Sequence, residues 1–328
     1  MNILVFCPFP EGFGERFQCK LAEAVPDAHI AYTDRKQQGE EHIRMLEAAD
    51  VTVGYFNPND LKHLKHVKLM QFDIEGVDAY IHHPDLRRDV IVCNAGGNYN
   101  SIVAEHAVSL VYALCRDLHL YAENKLHHRW QRVIPDKTIE DSTIMVLGAG
   151  AIGTTAATIL RPLAKTIIGV RRTAGETRPP YDEMIRLPEV DEKLPETDIL
   201  ICALPGTEDT KGFLNKERMR KLREDAVIVN IGRGSLIPTA DLLEVLGEGK
   251  LRGVGLDVME TEPLPEDSPL WDCKRLILTP HAAGNAMAQD SPTYRRITQL
   301  ICENLKAYSE GRPLKARVSR ETGYREKA

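Results

Sequence analysis

Short apolar runs alternate with polar stretches along the chain, and the runs have the length of strands, not helices. In the first third they fall at Ile3–Cys7, His29–Tyr32, Val51–Val53, Lys68–Phe72 and Val90–Cys93, each followed by a helix-compatible polar segment. That alternation is the pattern of repeated βαβ units around a parallel sheet, and it predicts one α/β lobe.

Next, Asn100 or Ser101 is placed to cap a helix in which Val103, Ala107, Leu110, Val111, Leu114 and Leu118 recur at helical spacing. Such a face suits a subunit contact or ordinary packing within the chain, and the spacing does not choose between them. From Ser142 a second series begins, with strands predicted at Thr143–Leu147, Thr166–Val170, Asp198–Leu204, Ala226–Ile231, Gly253–Val258 and Leu276–Leu278. Six strands are what a doubly wound dinucleotide fold uses. Beyond His281, Ser291 to Tyr308 predicts one more amphipathic helix, followed by Gly311-Arg312-Pro313 and a charged tail. The economical placement of that tail is against the first lobe, which makes the lobe discontinuous.

Composition narrows the classes. A chain of 328 residues with 43% hydrophobic content supports two cored domains. The net charge of −6 is spread along the length with no basic stripe, so nucleic acid is not an expected partner. Seven scattered cysteines without a Cys-x-x-Cys pair read as thiols of a reducing compartment. The apolar start Met1-Asn2-Ile3-Leu4-Val5-Phe6-Cys7 lacks the basic flank and cleavage site of a secretion signal and reads as a first strand. The longest uncharged apolar stretch, from Ala107 to Cys115, is far short of the roughly 18 residues of a membrane span. A soluble, cytoplasmic protein with no membrane contact is expected.

The strongest local motif is Gly148-Ala149-Gly150-Ala151-Ile152-Gly153, directly after the strand Ile144-Met145-Val146-Leu147 and before a helix-compatible stretch rich in small residues. A bare G-x-G-x-x-G is weak, because glycines collect in many turns; between a buried strand and a helix it is a dinucleotide signature. Gly148 permits the tight turn, Gly150 lets backbone approach a pyrophosphate, and Gly153 lets the helix pack on the strand. The helix N-terminus offers N–H groups to the phosphates. Eighteen positions after Gly153, where NAD-binding proteins usually carry an acid for the ribose hydroxyls, stand Arg171-Arg172-Thr173. Two guanidinium groups there suit a 2′-phosphate, so NADP is expected ahead of NAD. Two solvated surface arginines are the alternative.

Ligands of open α/β sheets sit beyond the carboxyl ends of the strands. Arg233 follows the fourth strand of the second series, Glu262 the fifth and His281 the sixth. Reducing a 2-oxo acid needs a cation to hold the carboxylate and polarise the carbonyl, and an acid to protonate the alkoxide. Arginine supplies the fork, and histidine delivers a proton near neutral pH. A glutamate bonded to that histidine favours its charged form. Singly, each residue has an ordinary structural explanation; together at successive strand ends they point to catalysis.

The chain resembles the D-isomer-specific 2-hydroxyacid dehydrogenases from about Asn94-Ala95-Gly96-Gly97 to Gly311-Arg312-Pro313. The resemblance is carried by Val103-Ala104-Glu105-His106-Ala107, Leu147 to Gly153, Val229-Asn230-Ile231-Gly232-Arg233-Gly234, Gly255-Leu256-Asp257-Val258 with Glu262-Pro263, and Thr279-Pro280-His281. It implies an α/β protein of two doubly wound parallel-sheet domains. A flavodoxin-like, discontinuous substrate domain would take residues 1–97 and 286–328, and a Rossmann-type cofactor domain residues 98–285. It implies that Arg233 anchors the substrate, His281 is the acid/base and Glu262 tunes it. Asp257 would contact the nicotinamide carboxamide, with Leu204, Pro205, Thr210, Ile231, Gly232 and Gly284 bordering the cofactor. A cleft between the lobes and a homodimer built on the helix from Asn100 to Glu123 are also implied.

Two departures stand out. Arg171 holds the ribose position, as above. In Phe72-Asp73-Ile74-Glu75-Gly76-Val77-Asp78, Gly76 and Val77 fit a loop whose backbone N–H groups receive the substrate carboxylate, but Glu75 replaces what is commonly a small residue. It either points to solvent or accepts a cationic or hydroxylated substrate tail. The histidine pairs His63 with His66, His82 with His83 and His127 with His128 lack local ligand partners and read as solvated, so no metal is expected. The expected activity is reduction of glyoxylate, hydroxypyruvate or a related 2-oxo acid; the competing class is a dinucleotide-sensing interaction protein of the same fold. Oxidation of formate is disfavoured, because that family pairs its histidine with glutamine where this chain has Glu262.

Overall fold

A computed structural model describes residues 1–7, 14–133, 137–173, 175–284, 291–321, 323 and 326. They fall into two compact units, Met1–Tyr99 with Ala286–Ala328, and Asn100–Asn285. The expected junction at 285 and 286 lies outside the described residues.

In the first unit, strands β1 (Asn2–Cys7), β2 (His29–Asp34), β3 (Val51–Val53), β4 (Leu69–Gln71) and β5 (Ile91–Cys93) form a parallel sheet in the order β2-β1-β3-β4-β5. That is the flavodoxin-like order. Every residue of β3 and β4 is buried, as strands covered on both faces require. Phe6 stacks on Phe56 at 4.7 Å and Phe72 packs on Tyr80 at 4.4 Å. Each such aromatic pair adds about 0.5–1.5 kcal/mol beyond its burial.

The C-terminal chain returns to this sheet. Ser291 accepts a hydrogen bond from the Tyr294 amide and caps the helix Pro292–Ser309, which buries Tyr294, Ile297, Ile301 and Leu305. From that helix the fully buried Asn304 donates to Gln71 Oε1 of β4 at 2.6 Å, and the Val318 amide donates to the Val92 carbonyl at 2.9 Å. An amide pair matched in this way satisfies groups that would be costly to bury alone.

The second unit carries β6 (Thr143–Leu147), β7 (Thr166–Arg171), β8 (Glu183–Arg186), β9 (Ile199–Cys202), β10 (Val227–Asn230), β11 (Gly253–Leu256) and β12 (Leu276–Leu278), all parallel, in the order β12-β11-β10-β9-β6-β7-β8. This is the Rossmann order with one strand more than the six expected. The unpredicted strand is β8, Glu183-Met184-Ile185-Arg186, at the sheet's edge with only Ile185 buried. A half-solvated edge strand shows no apolar run.

The helix expected to run from Asn100 to Glu123 is two helices, Asn100–Cys115 and Leu118–Leu126, with Asp117 left-handed between them at φ 54°. Arg252 explains the break. Its guanidinium donates to the Leu114 and Cys115 carbonyls at 3.1 and 3.2 Å and pairs with buried Asp117 at 2.6 Å, so the helix end is satisfied by a side chain instead of by another turn. Asn100 begins the helix without capping it, since its side-chain oxygen is buried with no hydrogen-bond partner among the described residues.

The apolar face of Asn100–Cys115 turns inward. A Cβ on Gly253 would lie 2.8 Å from Leu114 Cδ2, and one on Gly255 3.2 Å from Leu110 Cβ, so glycines in β11 admit these leucines onto the unit's own sheet. Each buried leucine stabilises the unit by about 1.5–3 kcal/mol. Leu118 lies outside that helix and is 54% exposed. No helix among the described residues is long and apolar enough to cross a membrane.

Candidate active site

The glycine turn has the geometry its sequence demands. Gly148 sits at φ 105°, and a Cβ there would be 2.6 Å from the Ala203 carbonyl oxygen. A Cβ on Gly153 would be 2.2 Å from the Gly148 oxygen and 2.8 Å from Val146, so only glycine lets the helix Ala151–Leu160 start this close to β6. Gly150 is exposed with nothing within 4 Å of its Cβ position, and no side chain caps the helix it opens. The N–H groups of Ala151, Ile152 and Gly153 thus begin a ten-residue helix at an open surface, an arrangement that fits a pyrophosphate. Arg171, the last residue of β7, donates from Nε to the Ala149 carbonyl at 2.7 Å, which sets its guanidinium beside this turn. Arg172 and Thr173 are exposed next to it.

At the far side of the same sheet, the loops after β10, β11 and β12 carry Arg233, Glu262 and His281. The His281 Nδ1 and Glu262 Oε2 lie 2.7 Å apart, while Glu262 Oε1 accepts from the Met259 amide at 2.9 Å. The hydrogen bond to Glu262 raises the imidazole pKa above its ordinary value, against a smaller opposing effect of burial. Burial pushes Glu262 up, but the hydrogen bonds from His281 and Met259 outweigh it and hold the carboxyl below the usual range. The His281 side chain is 55% exposed, and its Nε2 has no partner among the described residues. Arg233 is half-buried, donates to the Gly232 carbonyl at 2.8 Å, and its charge is felt by both His281 and Glu262. Gly234 brings the loops together: a Cβ there would be 1.9 Å from the Met259 carbonyl oxygen.

Asp257 is almost wholly buried. Its Oδ1 accepts from Thr279 Oγ1 at 2.6 Å and from the Ala282 amide at 2.8 Å, and its Oδ2 from the Ala283 amide at 3.0 Å. Its own carbonyl accepts from the His281 amide at 2.8 Å, so one residue pins the whole segment that carries the imidazole. His281 is thereby held left-handed at φ 51°, a conformation that costs of order 1–3 kcal/mol in a residue with a side chain.

Sequence reasoning assigned no role to His106 or Thr279. His106 Nε2 lies 3.0 Å from Thr279 Oγ1 and 3.5 Å from Asp257 Oδ1, extending the network to the helix Asn100–Cys115. A signal existed: His106 is three residues after Val103 and four before Leu110, on the helix face that is otherwise apolar.

Among the other expected cofactor neighbours, Thr210 is buried and donates to the Pro205 carbonyl at 2.7 Å, shaping the loop after Leu204 and Pro205. Ile231 is buried, and a Cβ on Gly232 would be 2.6 Å from the Leu204 oxygen, so the β9 and β10 loops meet there. Gly284 is half-buried at the end of the segment Asp257 pins. In the first unit, Glu75, Gly76 and Val77 follow β4. Asn94 Nδ2 donates to the Glu75 carbonyl at 2.7 Å and the Tyr99 hydroxyl to the Asp73 carbonyl at 2.6 Å. Glu75 does not simply point to solvent, since its Oε2 is shielded.

Acid–base chemistry on a sheet built for a dinucleotide is the equipment of an oxidoreductase, and that is the class this fold and these strand ends define. Residues 108–283 match the family model described as D-isomer specific 2-hydroxyacid dehydrogenase, NAD binding domain. Glyoxylate/hydroxypyruvate reductase A of Enterobacter sp. (strain 638) is 32% identical over 310 residues, covering 93% of this chain and 94% of that protein. A crystal structure of a D-isomer specific 2-hydroxyacid dehydrogenase family protein from Aeromonas salmonicida gives a TM-score of 0.83 at 26% identity, covering 97% of this chain and 99% of that one. An NADPH-dependent glyoxylate/hydroxypyruvate reductase from Sinorhizobium meliloti, in complex with NADP and sulfate, gives 0.80 at 26% identity, covering 98% and 99%. The chain belongs to the D-isomer-specific 2-hydroxyacid dehydrogenase family and is a nicotinamide-dinucleotide-dependent enzyme of that family.

Proposed function

We propose that the protein reduces glyoxylate, hydroxypyruvate or a closely related short 2-oxo acid to the 2-hydroxy acid, with NADPH preferred over NADH. The observation that carries this is the 2.7 Å contact between His281 Nδ1 and Glu262, which leaves Nε2 of a solvent-exposed imidazole available to a substrate. When bound, the nicotinamide supplies the hydride. His281 protonates the forming alkoxide from Nε2, Glu262 holds the imidazole charged and oriented, and Arg233 anchors the carboxylate and polarises the carbonyl. In the first unit, the Gly76 and Val77 amides are the donors we propose for a substrate carboxylate.

The pyrophosphate would lie on Gly150, Ala151, Ile152 and Gly153 after the turn at Gly148, with Leu204, Pro205, Thr210, Ile231, Gly232, Asp257 and Gly284 along the rest of the cofactor. Arg171 and Arg172 would pair the 2′-phosphate. Support for NADPH comes from the absence of an acid at the end of β7 and from the NADP bound to the Sinorhizobium enzyme.

NADPH and NADH oxidation measured side by side with a panel of short 2-oxo acids tests the proposal. Turnover with NADPH is expected, together with a loss of about 10²–10⁴-fold in kcat for His281→Asn. Tight cofactor binding without turnover by the wild type would instead mark a sensor.

A second copy of the chain is the partner we propose, and a reducing cytoplasm the setting. Tyr112, Leu118, Tyr121, Leu126 and Trp130 are all large, apolar and exposed within one short stretch, and the cysteines with described side chains are free thiols. Leu118→Lys with Leu126→Lys should shift the mass measured by light scattering from dimer to monomer.

A further inference from the structure

The helix Asn100–Cys115 lies on β11 in a register that leads its inward face to the candidate site. Leu114 meets the Cβ position of Gly253 and Leu110 that of Gly255, so four residues back along the helix match two residues forward along the strand. Four helical residues rise about 6 Å and two strand residues about 6.6 Å, which keeps the two elements in step. The next step takes Leu110 to His106 and Gly255 to Asp257. There the leucine pattern gives way to an imidazole, whose Nε2 lies 3.0 Å from Thr279 Oγ1 and 3.5 Å from Asp257 Oδ1.

Hydrogen counting fixes the direction of these bonds. Asp257 Oδ1 accepts from the Ala282 amide at 2.8 Å and from the Thr279 hydroxyl at 2.6 Å. A hydroxyl has one hydrogen, and with that hydrogen on Asp257 the Thr279 oxygen can only accept from His106. Nε2 therefore carries a hydrogen in either charge state of the ring, and donation runs from His106 to Thr279 to Asp257.

This chain ends on the turn that carries the imidazole of His281. The Thr279 amide donates to the Leu256 carbonyl at 2.9 Å and the His281 amide to the Asp257 carbonyl at 2.8 Å, with His281 left-handed at φ 51°. A strained conformation of that kind persists only where its surroundings over-determine it. His106 ties the turn to a sixteen-residue helix, a firmer frame than the two loops give each other.

We infer that His106 is a positioning residue: donating through Thr279 to Asp257, it holds the turn in the conformation that presents the His281 imidazole to Glu262 with Nε2 free. This rests on the proposed role of His281 as the acid and adds to it the group that keeps the acid in place.

The charged groups facing His281 are Glu262, Asp257 and Arg233; the two carboxylates favour the charged ring and the guanidinium opposes it. A turn that loosens draws the ring from Glu262, so the His281 titration, followed by NMR on the whole chain without substrate, reads the positioning independently of turnover. His106→Leu keeps an apolar side chain and deletes the donor, Thr279→Val removes the hydroxyl at constant shape, and His106→Gln can return an N–H to the place of Nε2. His281 should titrate at lower pH in His106→Leu and Thr279→Val than in wild type, and at the wild-type value in His106→Gln. With NADPH and a short 2-oxo acid, kcat should fall about tenfold in the first two and recover in the third, as expected when a reacting group drifts from its place. If His106→Leu does not fold, Thr279→Val decides. A titration that stays in place in the folded variants, or that moves as far in His106→Gln as in His106→Leu, overturns the inference. Wild-type protein that turns over no short 2-oxo acid sinks the reductase activity, while the titration still decides the role of His106.

Discussion

The His281–Glu262 contact makes a pH signature that belongs to two side chains. Because the imidazole pKa is raised, the acid form persists above the ordinary value of about 6.5. The alkaline limb of kcat/KM for reduction should therefore fall on the basic side of that value, and Glu262→Gln should move it to lower pH. A limb that stays in place in Glu262→Gln removes the tuning role. Stability follows the same signs. The raised imidazole contributes below its unfolded pKa and loses the contribution as pH rises through the folded value; the depressed Glu262 contributes above its unfolded pKa and loses it as pH falls through the folded one. The pair therefore stabilises between those limits, weakly, because His281 is more than half exposed. At the other end of the sheet, Arg171→Ala with Arg172→Ala should cost about 10–100-fold in kcat/KM for NADPH and little for NADH, as the loss of charge-assisted bonds to a phosphate predicts. Equal losses with both cofactors would mean that the arginines do not read the 2′-phosphate.

At the scale of elements, two close approaches are decisive. Gly234→Ala forces a methyl against the Met259 carbonyl, backbone on backbone, and should cost about 1–3 kcal/mol while separating the Arg233 loop from the Glu262 loop. Gly247→Ala, with nothing within 4 Å of the added carbon, is the control and should leave the melting temperature nearly unchanged. Arg252→Met strands Asp117 in the interior and should destabilise the second unit by about 3–5 kcal/mol, read from the denaturant midpoint. The same Arg252 shows why helix boundaries escaped the sequence. The apolar period runs on through Leu118, and only a guanidinium more than a hundred residues away along the chain ends the first helix at Cys115. Strand β8 escaped for the opposite reason: an edge strand needs no apolar run, so its four residues carry none. The glycine turn was legible because three glycines fall within six consecutive residues, and at Gly148 and Gly153 the neighbouring backbone leaves room for hydrogen alone.

For the whole molecule, two units with separate apolar cores should unfold in two steps. NADPH at a hundredfold excess over its Kd should stabilise the step belonging to Asn100–Asn285 by about 2.7 kcal/mol, with hydrogen exchange slowing in that unit. Exchange slowing only in Met1–Tyr99 would place the cofactor elsewhere. The sequence by itself determined the strands of both parallel sheets apart from β8, the glycine turn after β6 and the candidate catalytic triad of Arg233, Glu262 and His281. Those features are written in local periodicity and in residues tied to single strand ends, so neighbours in the chain suffice to reveal them. The tertiary structure alone decided that Asp257, Thr279 and His106 form one network, that the face of Asn100–Cys115 packs inward, and that Arg35 reaches across the first sheet to Asp73. Each of these joins groups far apart along the chain, and a hydrogen bond or ion pair of that kind depends on distance in space, which no local pattern encodes.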